Sequence, residues 1–109
     1  AMISAGFRRS ALLDLAQLNQ YLEVTFGHLT QRRVQNELFK SVERLVAYPG
    51  LGRSIATLIG EDAPPLCFYR LKKVTIFYEV SGDDLLVIRI ISNRQDINQL
   101  IAAFTQPEI

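Results

Sequence analysis

The residues best suited to binding chemistry lie where a long apolar run ends. Residues 85–91 are apolar except for one arginine, and the polar segment 92–96, SNRQD, follows at once. In one interpretation, cations on the neighbouring strands face a binding target, and an acid holds the last arginine in place. The predicted target-binding residues are Arg70, Arg89, Arg94 and Asp96.

The same segment also fits a structural role. Asp96 can cap the N-terminus of a last helix, from Asp96 to about Phe104, because its carboxylate accepts a hydrogen bond from the first turn. Arg94 would then form a surface ion pair worth about 0–1 kcal/mol. We favour the capping role for Asp96 and keep both interpretations for Arg94. The segment is therefore predicted to be a hinge that can also touch a target, and not a catalytic centre.

The composition limits the classes of function. A chain of 109 residues is long enough for one hydrophobic core, so one domain over residues 1–109 is expected to carry the function. Twelve Lys and Arg against eleven Asp and Glu give a net charge of +1, which does not favour binding to a phosphate backbone. We therefore expect no sequence-specific nucleic-acid binding. No apolar run approaches the roughly 20 residues of a membrane helix, so a cytoplasmic protein is expected.

Single reactive residues exclude several kinds of site. The lone Cys67 cannot form an internal disulfide, and with the lone His28 it cannot supply the four ligands of structural zinc. The glycines at 50 and 52 lack the preceding strand and the Lys-Ser/Thr pair of a phosphate-binding loop. We expect no metal and no cofactor, with Cys67 as a small buried hydrophobe.

Helical spacing dominates the first half of the chain. Residues 3–8 can form a strand, and "SALLDLAQLNQYLEVTFG" then repeats apolar residues every three or four positions, with Ser10 as N-cap and Gly27 as the stop. A second helix is predicted from Thr30 until Pro49-Gly50 ends it. The short connection predicts an antiparallel hairpin.

Strand spacing dominates the second half. "LCFYRL", "VTIFYEV" and "LLVIRII" are rich in β-branched and aromatic residues, and residues 50–65 before them are interpreted as a surface loop. A two-residue turn at Gly82-Asp83 predicts the pairs Val80 with Leu85, Tyr78 with Val87 and Ile76 with Arg89. The predicted fold is α+β: an N-terminal strand, a two-helix hairpin packed on a small antiparallel sheet, and a short C-terminal helix.

Both faces of the predicted sheet are apolar, whereas a small antiparallel sheet usually leaves one face polar. The helical hairpin can cover only one face. The other needs the C-terminal segment, a second copy of the chain or the apolar helix of a partner. The residues predicted to bind a partner there are Phe77, Leu86, Ile88 and Ile90.

This order of elements resembles the RelE/ParE superfamily of bacterial type II toxins, and its ParE branch more than its RelE branch. The matching words are "SALLDLAQLNQYL", "LVAYPGLGR" and "IFYEVSGDDLLVIRIISNRQD", within a likeness over about residues 3–98. The resemblance implies a toxin, of the kind linked to plasmid stabilisation, whose cognate antitoxin wraps its apolar surfaces. It also implies inhibition of DNA gyrase, because ParE-type members stabilise the cleaved-DNA complex of gyrase.

The RelE branch would make the chain a ribosome-dependent mRNA endonuclease. Cutting RNA at a 2′-hydroxyl needs a general base, cations and a general acid. This chain has Thr75 where such nucleases carry arginine and Ser92 where many ParE relatives have histidine, and no Tyr or His follows Tyr78. We predict no catalytic residue. The alternatives are a nuclease with an unusual base such as Glu79, and a non-toxic member that only binds an antitoxin.

Overall fold

The computed structural model describes residues 4–94, which form a five-stranded mixed sheet with two long helices on one face. The elements in chain order are β1 (Ser4–Phe7), α1 (Arg9–Phe26), α2 (His28–Ala47), a 3-10 turn (Pro49–Leu51), β2 (Arg53–Ser54), α3 (Ala56–Ile59), β3 (Cys67–Arg70), β4 (Val74–Ser81) and β5 (Asp84–Ser92). The sheet order is β1-β5-β4-β3-β2, with β1 parallel to β5 and the other pairs antiparallel. The predicted α+β fold is confirmed. The helix predicted from Asp96 lies outside the described residues.

Gly27 alone separates the two long helices. Its φ of 94° is a conformation that glycine adopts without strain, and its N–H donates to the carbonyl of Glu23 at 3.0 Å. The predicted stop of α1 is therefore confirmed. The predicted start is wrong, because α1 begins at Arg9 and the Ser10 hydroxyl donates to the carbonyl of Ile88 at 2.7 Å instead of capping the helix. α2 begins at His28, two residues before the predicted Thr30.

The hairpin between β4 and β5 turns at Gly82-Asp83, as predicted. Gly82 has a φ of 60°, as expected of the first central residue of a tight two-residue turn. Two of the three predicted residue pairs are confirmed, Val80 with Leu85 and Tyr78 with Val87.

The third predicted pair is wrong because a β-bulge shifts the register. Beyond Tyr78, Phe77 lies opposite Arg89 and Ile76 lies opposite Ile90, so β5 contributes one residue more than β4. An extra residue moves the following side chains to the opposite face of the sheet. Ile90 therefore packs under the helices, although the sequence predicted it on the other face.

The face under the helices carries the larger core. Fully buried aliphatic side chains of α2, β4 and β5 meet here, and burying each one stabilises the fold by about 1.5–3 kcal/mol. The central members of this cluster are Leu38, Leu45, Val74, Ile76, Tyr78, Leu85, Val87 and Ile90. Within residues 4–94, no helix is long and apolar enough to cross a membrane.

The opposite face is covered by the chain itself. Ile55 and Leu66, from the segment predicted to be a surface loop, are buried against Phe77, Ile88 and Ile91. The prediction of an open apolar face is therefore wrong over this part of the sheet. Among the four residues predicted to bind an antitoxin, Phe77, Ile88 and Ile90 are buried and Leu86 is half-buried. Antitoxin contact with these four residues stays a prediction.

Candidate functional site

A groove runs between α1 and the end of β5. It consists of two adjoining cavities of about 220 and 230 Å³, which share Leu18, Tyr21, Ser92 and Arg94. We call it the α1–β5 groove. Its lining residues are Asp14, Gln17, Leu18, Tyr21, Leu22, Phe26, Lys72, Lys73, Arg89, Ile90, Ile91, Ser92, Asn93 and Arg94.

Arg89 is held at one end of this groove by Asp14. Its Nε donates to Oδ2 of Asp14 at 2.7 Å and its Nη2 donates to Oδ1 at 3.0 Å, which gives a two-point ion pair. The hydrogen bonding to Asp14 raises the pKa of Arg89, although partial burial opposes this effect. The charge of Arg89 is thus paired within the chain, which argues against its predicted role as a free cation for a target.

Helix α1 takes over as the partner of β5 where β1 ends. The β1–β5 pairing stops at Phe7 and Val87. Beyond it, the Ser10 hydroxyl donates to the carbonyl of Ile88, and the Asp14 carboxylate accepts the N–H of Ile90 at 3.0 Å. Ser10 and Asp14 lie one helical turn apart and share a face of α1. Two side chains therefore replace a strand and fix the helix against the bulged end of β5.

Asn93 fixes the opposite wall of the groove. Its Nδ2 donates to the carbonyls of Leu71 at 2.8 Å and Lys72 at 3.1 Å, and its backbone N–H donates to the carbonyl of Lys73 at 2.9 Å. Its Oδ1 accepts the buried hydroxyl of Thr75 at 2.7 Å. The sequence analysis did not single out Asn93, because no local pattern pairs it with a turn about 20 positions earlier.

Replacing Asn93 with alanine is expected to lower the free energy of unfolding by about 1–2 kcal/mol, because the buried Thr75 hydroxyl and the 71–73 turn lose their partners. Urea unfolding followed by circular dichroism measures the change. The matched control is Asn36→Ala on the exposed side of α2, which is expected to change little. Equal shifts in the two variants would show that Asn93 does not hold the turn.

Two cations lie over aromatic rings along the groove. The guanidinium carbon of Arg94 is 4.3 Å from the centre of the Tyr21 ring, and Nζ of Lys73 is 4.6 Å from the centre of the Phe26 ring. Lys72 lies beside them on the same turn and is exposed. None of these three cations forms an ion pair with another residue of the described range. They are the charges of the groove that remain available to a partner.

The structure separates the residues predicted to bind the target. Arg89 and Arg94 line the same groove. Arg70 instead lines a cavity of about 400 Å³ at the β2–β3 edge, together with Leu51 and Leu58. Asp96 lies outside the described residues. Target binding by these four residues stays a prediction.

The groove is suited to binding more than to catalysis. Of its lining residues only Asp14 is a carboxylate, and Arg89 holds it. His28 is exposed near Glu23 at the start of α2, and burial raises the pKa of the Cys67 thiol, which disfavours the reactive thiolate. Glu79, the candidate for an unusual base, is 3.9 Å from Arg8. Within residues 4–94, no three His, Cys, Asp or Glu side chains are placed to hold a metal ion.

Comparison with known families decides the classification. The model of the family described as the ParE toxin of the type II toxin-antitoxin system, parDE, matches residues 6–97. The chain belongs to this ParE toxin family. The resemblance stated from the sequence is therefore confirmed, and the toxin class with it. A comparison with curated proteins finds no match.

Solved structures agree with the ParE fold. A structure titled chromosomal ParDE TA system from P. aeruginosa matches with a TM-score of 0.68 and 18% identity, over 84% of this chain and 96% of that chain. The solution structure of the conserved hypothetical protein HP0894 from Helicobacter pylori matches with a TM-score of 0.56 and 18% identity, over 86% of this chain and 98% of that one. At this identity the likeness concerns the fold alone.

Proposed function

We propose that this ParE family member is a toxin that inhibits DNA gyrase through protein–protein contact and is neutralised by a cognate antitoxin. The observation that carries the proposal is the family match over residues 6–97. The groove supports it, because Arg94, Lys72 and Lys73 offer charges for binding beside aromatic rings. Gyrase acts on DNA in the bacterial cytoplasm, so the proposal places the toxin there.

The ribonuclease alternative finds less support in the groove. Thr75 stands where nucleases of the RelE branch carry arginine, and its buried hydroxyl is bonded to Asn93. A general base must reach the hydroxyl that it activates, whereas the one carboxylate lining the groove is bonded to Arg89 and Ile90. The proposal therefore assigns the toxin a binding role and no catalytic residue.

An antitoxin would meet the sheet face most easily at Leu86. This side chain is half-buried at the edge of the second core, whereas Phe77, Ile88 and Ile90 are buried. A charged residue at any of these three buried positions is expected to unfold the chain, so it would not report on antitoxin binding. We propose Leu86 as the accessible part of the antitoxin contact on this face.

The test compares the two candidate targets in parallel. The purified chain is added to a gyrase supercoiling and cleavage assay, and to a translation reaction in which mRNA cutting is followed. Trapped cleaved DNA with intact mRNA is expected. Arg94→Ala is expected to weaken gyrase inhibition about tenfold, because it removes a charge of the binding surface, while Lys40→Ala on the exposed side of α2 leaves inhibition unchanged.

Other outcomes of this test would identify a different function. Cut mRNA with unaffected gyrase would establish the ribonuclease alternative. Loss of both effects, together with normal growth on expression, would identify a non-toxic member that only binds an antitoxin. Full inhibition by Arg94→Ala would place the gyrase contact elsewhere on the toxin.

A further inference from the structure

The α1–β5 groove combines an apolar wall with unpaired positive charge. Leu18, Tyr21 and Phe26 of α1 provide the wall, and Phe26 remains 51% exposed. Lys73 and Arg94 provide the charge on the opposite side. Of the residues lining the groove, the only acid is Asp14, which is bonded to Arg89 and to the N–H of Ile90. The groove is thus complementary to a ligand that carries both carboxylates and apolar side chains.

The two cations occupy positions that such a ligand can take over. A cation over an aromatic ring at an exposed site stabilises by about 0.5–1 kcal/mol. A hydrogen bond to a charged group contributes about 1.5–3 kcal/mol when it is partly removed from water. An incoming carboxylate can therefore draw Arg94 away from the Tyr21 ring, and Lys73 away from the Phe26 ring. The vacated ring faces then become available to apolar side chains.

From these contacts we infer that the α1–β5 groove is the docking site of an acidic, amphipathic segment of a protein partner. Carboxylates of the segment pair with Lys73 and Arg94, and its apolar side chains pack on the faces of Tyr21 and Phe26 that these cations leave. The inference rests on the proposed function in one respect, namely that the partner is the antitoxin. The hydrogen bonds of Asn93 hold the Lys72-Lys73 turn in place beforehand, which lowers the ordering cost of binding.

A protein segment fits this groove better than a single-stranded nucleic acid does. Stacking of bases requires open aromatic faces along a positively charged channel. Here cations lie over the Tyr21 and Phe26 rings, the aliphatic Leu18 and Leu22 line the space next to them, and the chain has a net charge of only +1. The cavities of about 220 and 230 Å³ are of a size to receive single apolar side chains.

The test of the charges titrates the full chain with its purified cognate ParD-type antitoxin in a calorimeter at two salt concentrations. Lys73→Ala and Arg94→Ala are each expected to weaken binding about tenfold, and the double variant is expected to have a reduced salt dependence. The matched control is Arg32→Ala with Lys40→Ala, which removes two exposed cations of α2 outside the groove. This control is expected to bind like the wild type.

The test of the apolar contact compares two exposed side chains near the helix junction. Phe26→Ser is expected to weaken binding about tenfold, because it removes a ring of the groove. Leu29→Ser, at a position that is 79% exposed and outside the groove, is expected to leave binding unchanged. Thermal unfolding of both variants checks that the fold is retained, because neither side chain is buried.

The possible outcomes separate this inference from the proposed function. Equal antitoxin affinity for the wild type and the Lys73, Arg94 and Phe26 variants would overturn the groove inference and leave the toxin proposal standing. Failure of the antitoxin to bind the wild type would overturn both. Tight binding of a single-stranded 12-nucleotide probe, competing with the antitoxin and lost in the same variants, would overturn the assignment to a protein segment.

Discussion

Asp14→Ala is expected to lower the free energy of unfolding by about 2–4 kcal/mol, because the carboxylate accepts three hydrogen bonds that span two elements. Its removal leaves the Arg89 guanidinium and the Ile90 N–H without their partner at the end of β5. The Asp14 side chain is only 12% exposed, whereas the Arg89 side chain is 35% exposed, so water compensates Arg89 in part. Urea unfolding at neutral pH followed by circular dichroism measures the loss.

Two further variants define what Asp14 contributes. Asp14→Asn retains an oxygen that can accept the Ile90 N–H but removes the charge that pairs with Arg89, so an intermediate loss of about 1–2 kcal/mol is expected. Glu43→Ala removes an exposed acid of α2 and is expected to change stability by less than about 0.5 kcal/mol. If Asp14→Ala behaved like Glu43→Ala, the joint between α1 and β5 would have to be held by apolar packing alone.

Features encoded by neighbouring residues were predictable from the sequence. The stop of α1 at Gly27 and the turn at Gly82-Asp83 depend on backbone conformations that glycine favours, so a short stretch of sequence is enough to recognise them. The pairs next to the turn, Val80 with Leu85 and Tyr78 with Val87, follow directly from its length. The succession of helices and strands follows from the apolar periodicity.

The bulge in β5 was not predictable, because its cause is distant in sequence. Where β1 ends, Ser10 and Asp14 bond to the backbone of Ile88 and Ile90, which are 78 and 76 positions away. The same distance hid the partner of Arg89, which the sequence analysis interpreted as a free cation for a target. One long-range contact therefore changes both the register and the charge available to a ligand.

The cover of the second sheet face was missed for a related reason. Ile55 and Leu66 are separated by glycine, acid and proline, so they show neither helical nor strand periodicity. They become core residues only after β2 joins the edge of the sheet and brings the segment over Phe77 and Ile88. An isolated apolar residue in a loop-like segment gives no local signal for the surface that it covers.

A second large effect is expected where the turn after α2 meets the sheet. The buried Tyr78 hydroxyl donates to the carbonyl of Pro49 at 2.7 Å and accepts the N–H of Gly52 at 3.1 Å. Burial, together with the neighbouring Cys67, raises the pKa of Tyr78, so the hydroxyl stays protonated and able to donate. This contact explains the glycine in the sequence "PGLG" better than backbone freedom does, because Gly52 has an extended conformation with a φ of −79°.

Gly52→Ala is expected to lower the free energy of unfolding by about 2–4 kcal/mol, because a Cβ at this position would collide with the Tyr78 hydroxyl and lie 2.8 Å from the Phe68 carbonyl. Neither neighbour can yield easily, since Tyr78 is fully buried and Phe68 is paired in β3. Gly50→Ala is the matched control: its Cβ would meet no atom within 4 Å, so its thermal midpoint is expected to stay the same or rise slightly. Equal midpoints for the two variants would mean that the 3-10 turn can move away from Tyr78 without cost, and that the turn is not part of the cooperative core.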